Sequence, residues 1–229
     1  LAVTAADTFV QRESSEDGWT LQLSLRLPLH EPSRWIALKK ALESALHFLR
    51  GDIWDFEFSD GGYAPPEPYS SRFNLVKLKK LDCVSLFSGG LDSAIGAIDL
   101  LKLGRAPLLV SHAYKGDKSH QDQIAEKLNG RYSRFEINAD PHLYQGATDI
   151  TMRTRSFNFL AFAAVGASAV QEVSQQKKIE LFVPENGFIS FNAPLTSRRI
   201  GTLSTRTTHP HFIESIQQLF DAVGIPSIG

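Results

Sequence analysis

The sequence predicts an α/β protein: a parallel, Rossmann-like sheet preceded by a small α+β domain. Two observations carry this. From about residue 80, apolar runs of strand length alternate with runs of helical periodicity, the β-α-β-α order of a parallel sheet covered on both faces. Within that order, Ser88-Gly89-Gly90-Leu91-Asp92-Ser93 links an apolar run, Val84-Ser85-Leu86-Phe87, to a helix-like run, Ala94 to Leu101. Upstream the order reads β-β-α-β. Residues 63–71, Tyr-Ala-Pro-Pro-Glu-Pro-Tyr-Ser-Ser, read as a linker. The expected division is therefore 1–78, the small domain with its linker, and 79–229, the parallel-sheet domain.

Each element has its own signal. Glu13 to Gly18 reads as a turn joining a strand at 7–12 to one at 18–28, where Leu21, Leu23, Leu25 and Leu27 alternate with polar residues. Pro32 suits a first helical position, and Trp35, Leu38, Leu42, Ala45 and Leu49 mark one face of a single helix closed by Gly51. Trp54, Phe56 and Phe58 alternate as the next strand. The second part predicts strands at 83–87, 107–113, 132–137 and 179–184. Helices are expected at 92–102, 117–129, 156–173 and 210–223, the last between Pro210 and Gly224. The chain opens on Leu1 and stops where a fifth strand would start, which leads us to expect that the natural protein continues or that another chain covers this region.

Composition narrows the class. The chain has 229 residues, 42% hydrophobic and 21% charged, with a net charge of −1. Nothing in that balance suggests a nucleic-acid footprint, and no direct nucleic-acid partner is expected. One cysteine, Cys83, excludes a disulfide framework within the chain and a cysteine-only zinc site, so zinc is not expected here. No apolar stretch reaches membrane-spanning length and no signal-peptide pattern opens the chain, so a cytoplasmic location is expected.

The glycine turn predicts an anion cradle. Two glycines let the backbone turn tightly and bring N–H groups close to a ligand, and a new helix presents unpaired N–H groups and its positive dipole end. Serine hydroxyls at either end would add donors. The spacing is neither the Walker loop nor the dinucleotide fingerprint. A phosphate or pyrophosphate is the expected guest of Ser88, Gly89, Gly90, Leu91, Asp92 and Ser93. Asp92, the one charged member, is the candidate ligand for Mg²⁺.

Three other segments lie beyond the carboxyl ends of the expected strands. His112 follows the second strand and reads equally as a nucleotide ligand or a packed histidine. Arg153 and Arg155 stand at the start of the buried helix, where cations oppose the dipole and so suggest an anionic partner; Arg155 would meet the α-phosphate. The long connection 185–209 offers Glu185 and Asn186 for a purine-like edge, and Phe188 and Phe191 for stacking. Arg198, Arg199, Arg206 and His209 would bind carboxylate or phosphate. Asp92, Ser93 and Arg155 are the catalytic candidates.

The loop Ser88 to Ser93 resembles the pyrophosphatase loop of the N-type (PP-loop) ATP pyrophosphatases. With the Arg155 helix start, Pro184-Glu185-Asn186-Gly187 and Ser204 to Pro210, residues 82–223 resemble the 7-cyano-7-deazaguanine synthase-like (QueC-like) branch. They look more like its component in the Qat anti-phage defence system, as does the N-terminal unit. The resemblance implies ATP and Mg²⁺ as cofactors, adenylation of a carboxylate such as 7-carboxy-7-deazaguanine with release of pyrophosphate, and attack by ammonia or a protein amine. Protein partners within a defence complex follow from it. Two departures stand out: the synthases' four-cysteine zinc site has no counterpart, and the 185–209 connection is unusual. The same loop also suits an asparagine-synthetase-type amidotransferase, a sulfur-transfer tRNA enzyme, or a nucleotide-binding assembly subunit without turnover.

Overall fold

The computed structural model describes residues 1–64, 75–112, 117–139, 154–190 and 206–224. In chain order the elements are α1 (Ala2–Phe9), β1 (Gln22–Pro28), α2 (Pro32–Ile36), α3 (Lys39–Arg50), β2 (Ile53–Ser59), β3 (Cys83–Leu86) and α4 (Leu91–Lys102). There follow β4 (Pro107–His112), α5 (Asp117–Ala125), β5 (Ser133–Ile137), α6 (Arg155–Ser174), β6 (Glu180–Phe182), α7 (Gly187–Ser190) and α8 (Pro210–Val223). Short 3-10 turns cover Arg12–Ser14 and Arg206–Thr208.

Two compact units result. The first comprises 1–64, 154–156 and 206–223; the second comprises 75–112, 117–139, 157–190 and Gly224 among the described residues. The sequence expects two domains in succession, whereas α8, from the far end of the chain, packs on α3 within the first unit. Its buried face is Phe212, Ile216, Leu219 and Phe220, an apolar stripe at helical spacing.

The first unit corrects the expected β-β-α-β order. Residues 7–12 form no strand: α1 runs through Phe9 and a 3-10 turn follows. Val3, Thr4 and Asp7 recur at helical spacing and all are buried. The Asp7 carboxylate accepts two hydrogen bonds from Arg50, at 2.6 and 2.9 Å, and a third from Thr154 Oγ1 at 3.1 Å. Arg12 in turn donates to both oxygens of Asp52, at 2.8 and 2.9 Å, and Arg50 Nη2 reaches Asp52 at 3.2 Å. Two buried aspartates and two buried arginines thus satisfy one another across α1, α3 and the start of β2. β1 and β2 pair in parallel, Gln22 opposite Ile53 through Pro28 opposite Ser59, so α2 and α3 form a crossover. The expected single helix from Pro32 breaks at Ala37–Leu38, where the Leu38 N–H donates to the Trp35 carbonyl at 3.1 Å, a tighter i→i+3 closure. Leu23, Leu25, Trp54 and Phe56 fill the buried face of the pair as their alternation requires.

The second unit follows the sequence closely. Its four strands are parallel in the order β5-β4-β3-β6. The chain lays down β3, β4 and β5 in one direction, then returns to place β6 on the other side of β3. That reversal is a topological switch point, and it opens at the carboxyl end of β3. Phe87, Ala97, Leu109 and Ala125 form a core cluster where α4 and α5 cover the sheet. Among the described residues no helix is long and apolar enough to cross a membrane.

Candidate functional site

The glycine turn follows β3 at the switch point. Gly89 adopts φ 84, a left-handed conformation, and a Cβ there would lie 2.7 Å from Gln121 Cγ. Only glycine satisfies both conditions. Gly90 is the N-cap of α4, and no side chain caps that terminus. The N–H groups of Leu91, Asp92 and Ser93 therefore open α4 without a side-chain acceptor, in a position suited to an anion. Leu91 points outward at 76% exposure.

The serines serve the loop in a different way from the sequence expectation. Ser93 is buried; its Oγ accepts the Gly89 N–H at 3.1 Å and donates to the Gly90 carbonyl at 2.9 Å. Ser88 Oγ donates to Ser93 Oγ at 3.2 Å and accepts the Gly90 N–H at 3.3 Å. Both hydroxyls are engaged in fixing the turn, because a tight turn leaves its own amides to be satisfied. Ser93 is thus a positioning residue, and the anion donors are the backbone amides of the first helical turn.

β6 delivers the second wall of the crevice. Pro184 packs against Gly96 of α4, where a Cβ would meet the proline ring carbon at 2.5 Å. That close approach brings the following residue, Glu185, into electrostatic reach of Asp92. Glu185 has an edge open to solvent, yet surrounding protein lifts its carboxyl above the ordinary value, and the Asp92 charge lifts it further. Two neighbouring carboxylates suit a divalent cation carried in with phosphates. Among the described residues no group of three or more His, Cys, Asp or Glu could hold a metal ion by itself.

A side chain not singled out from the sequence holds the turn from below. Gln121 of α5 is fully buried; its Nε2 donates to the Ser88 carbonyl at 3.1 Å and to the His112 carbonyl at 3.4 Å. Its Oε1 accepts from Arg134 Nη2 at 3.1 Å. Arg134 also reaches Asp122 at 2.5 Å and Ser111 Oγ at 3.0 Å. The signal was present: Gln121 shares the 121, 124, 125, 128 stripe with Ile124, Ala125 and Leu128, a polar residue on an apolar face.

Other expected site residues are placed differently. His112 is fully buried, stacks on Phe162 with ring centroids 5.5 Å apart, and accepts the Ala139 N–H at Nε2, 3.2 Å. Of the two readings open for it, the burial and the stacking fit the packed histidine. Arg206 and His209 lie against Phe48. Arg206 donates to the Phe48 carbonyl at 2.9 Å and lies 5.2 Å from that ring's centroid, and the His209 ring stands 5.4 Å from it. Phe48 is in the last turn of α3, whose unpaired carbonyls and negative dipole end attract a cation. Arg155 begins α6, half-buried, in the first unit, and Asn186 follows Glu185 in an exposed position. Arg153, Phe191, Arg198 and Arg199 lie outside the described residues, as does the side chain of Phe188.

Cys83 stands at the amino end of β3, a strand's length from the glycine turn. It is fully buried, and burial with the neighbouring Asp82 pushes its thiol well above the ordinary range. That suits packing and not thiolate chemistry. Compared with protein-family models, curated proteins and solved structures, the chain matches none.

Proposed function

We propose that the chain is a PP-loop ATP pyrophosphatase that adenylates a carboxylate. The observation carrying this reading is the Ser88–Ser93 turn: a left-handed glycine and an uncapped helix start at a sheet's switch point, faced by the Asp92–Glu185 pair. The triphosphate binds on the amides of Leu91, Asp92 and Ser93, held in place by Ser88, Ser93 and Gln121. Asp92 and Glu185 are the candidate holders of Mg²⁺, which neutralises charge on the departing pyrophosphate. Substrate carboxylate oxygen attacks the α-phosphorus, and the bond to the β-phosphate oxygen breaks. Acyl-adenylate and pyrophosphate result. An amine nitrogen then attacks the acyl carbon, loses a proton, and displaces AMP to leave an amide.

The family resemblance supplies 7-carboxy-7-deazaguanine as the substrate, ammonia or a protein N-terminus as the acceptor, and an anti-phage defence complex as the setting. Arg155, Asn186 and Phe188, with Arg153, Arg198 and Arg199, remain candidates for nucleotide and substrate contact. The test is product identity. The chain with ATP, Mg²⁺ and 7-carboxy-7-deazaguanine is expected to yield AMP and pyrophosphate. ADP and orthophosphate, or no turnover, would overturn the assignment.

A further inference from the structure

In a parallel sheet every strand starts at the same edge. In the second unit that edge is built from residues 75–82, 102–106, 126–132 and 174–180, which carry nine Lys or Arg and three Asp or Glu. Lys79 and Lys80 precede β3, Lys102 ends α4 before β4, Arg131 precedes β5, and Lys177 and Lys178 precede β6; all six are exposed. No ion pair joins these six to a carboxylate among the described residues. Two of the three carboxylates at this edge, Asp82 and Glu180, are held by Arg105 at 3.0 and 2.8 Å. Two of the three opposite charges at this rim are thus neutralised locally, and Glu126 is the third. At the crevice edge stand the carboxylates Asp92 and Glu185. A net charge of −1 for the chain conceals this separation.

We infer that the amino-terminal rim of the sheet docks the sugar–phosphate backbone of a nucleic-acid duplex, independently of sequence. Four strand starts about 4.8 Å apart spread the cations along a row of about 14 Å. Cations at every strand start along the row match a polyanion of regular charge. Protein interfaces are depleted in lysine at their centre, which disfavours an acidic protein partner. Among the described residues the rim offers no row of exposed aromatics for base stacking, which disfavours a single strand. Docking here leaves the opposite, crevice edge open, and the inference does not rest on the nucleotide reading.

The test is anisotropy of a labelled DNA duplex with the full chain across a salt series. Binding at low salt is expected, with a log–log slope on the order of −4 and a loss on the order of 10² over a fourfold rise in salt. Lys79→Ala with Lys80→Ala should flatten the slope by about 2, as should Lys177→Ala with Lys178→Ala. The charge-matched control, Lys39→Ala with Lys40→Ala in the first unit, should leave it unchanged. All these positions are exposed except Lys39, which is half-buried and paired with Glu43 and Asp55, so melting temperatures check folding. No binding at low salt, an unchanged slope in both rim variants, or tighter binding of single-stranded DNA would overturn the inference. Equal affinity for poly-glutamate would assign the rim to an acidic protein segment instead.

Discussion

Gln121 shows how much can depend on one buried amide. It fills the space that Gly89 vacates and ties the carbonyls after β3 and β4 together. Gln121→Leu strands the Ser88 carbonyl and one Arg134 donor, at a cost of about 1–3 kcal/mol for each unsatisfied group. Gln121→Glu keeps an acceptor for Arg134 and loses only the donor. We expect Glu to recover part of the melting temperature lost by Leu while both variants lose AMP formation. Recovery of turnover alongside stability would reduce Gln121 to a packing role. Glu185 offers a second reading at this scale. Removing the Asp92 charge in Asp92→Asn should lower the Glu185 pKa without returning it to the ordinary value, since burial is the larger cause. Carboxyl NMR titration checks this, and an unmoved Glu185 would separate the two groups. His112 and Arg206 illustrate what residue types cannot reveal. A histidine after a strand and an arginine in a polar stretch look alike in sequence whether they meet a ligand or their own protein. Phe162 and Phe48, which decide the matter here, are 50 and 158 residues away.

At the level of elements, α4 and its turn were legible because their determinants are local. Ser88, Gly89, Gly90 and Ser93 lie within six residues, and their hydrogen bonds close inside that span. Ser93→Ala should unravel the turn: it leaves the Gly89 amide without its acceptor, costing about 1–3 kcal/mol, and should disorder the amides that face the anion. Amide exchange at Gly89 and Gly90 would reveal this; unchanged protection would refute it. The strands of the second unit were legible for the same reason, as short apolar runs between turn signals. α1 was not. Its sequence has little helical periodicity beyond Val3, Thr4 and Asp7, and it is fixed by Arg50, 43 residues from Asp7. The pairing direction of β1 and β2 was equally hidden, because alternation shows which face is buried and not which neighbour is present.

Across the whole molecule, charge is sorted by depth and by edge. The four-membered cluster Asp7, Arg12, Arg50 and Asp52 is the deepest. Burial alone would raise the Asp52 carboxyl, but hydrogen bonds from Arg12 and the Leu21 amide, with the charges of Arg50 and Arg12, hold it below its ordinary value. A depressed carboxylate stabilises the fold above its unfolded pKa of about 3.9 and loses that contribution as pH falls through the folded value. Melting temperature should therefore drop in acid below about pH 4. Asp52→Asn should cost about 3–5 kcal/mol at neutral pH and flatten the acid limb. An equally steep limb in the variant would place the acid sensitivity elsewhere.

The return of α8 to α3 has a consequence during synthesis. The ribosome releases the first unit's β1, α3 and β2 early, yet Phe212, Ile216, Leu219 and Phe220 emerge only after the entire second unit. The nascent first unit must wait with part of α3 uncovered, while the second unit, its local strands and helices already complete, folds ahead of it. The later-made half should thus mature first. A chain truncated before Pro210 and released from the ribosome is expected to show protease-resistant residues 75–112, 117–139 and 157–190 beside a protease-sensitive 1–64, and equal resistance of both would indicate that the first unit closes without its last helix.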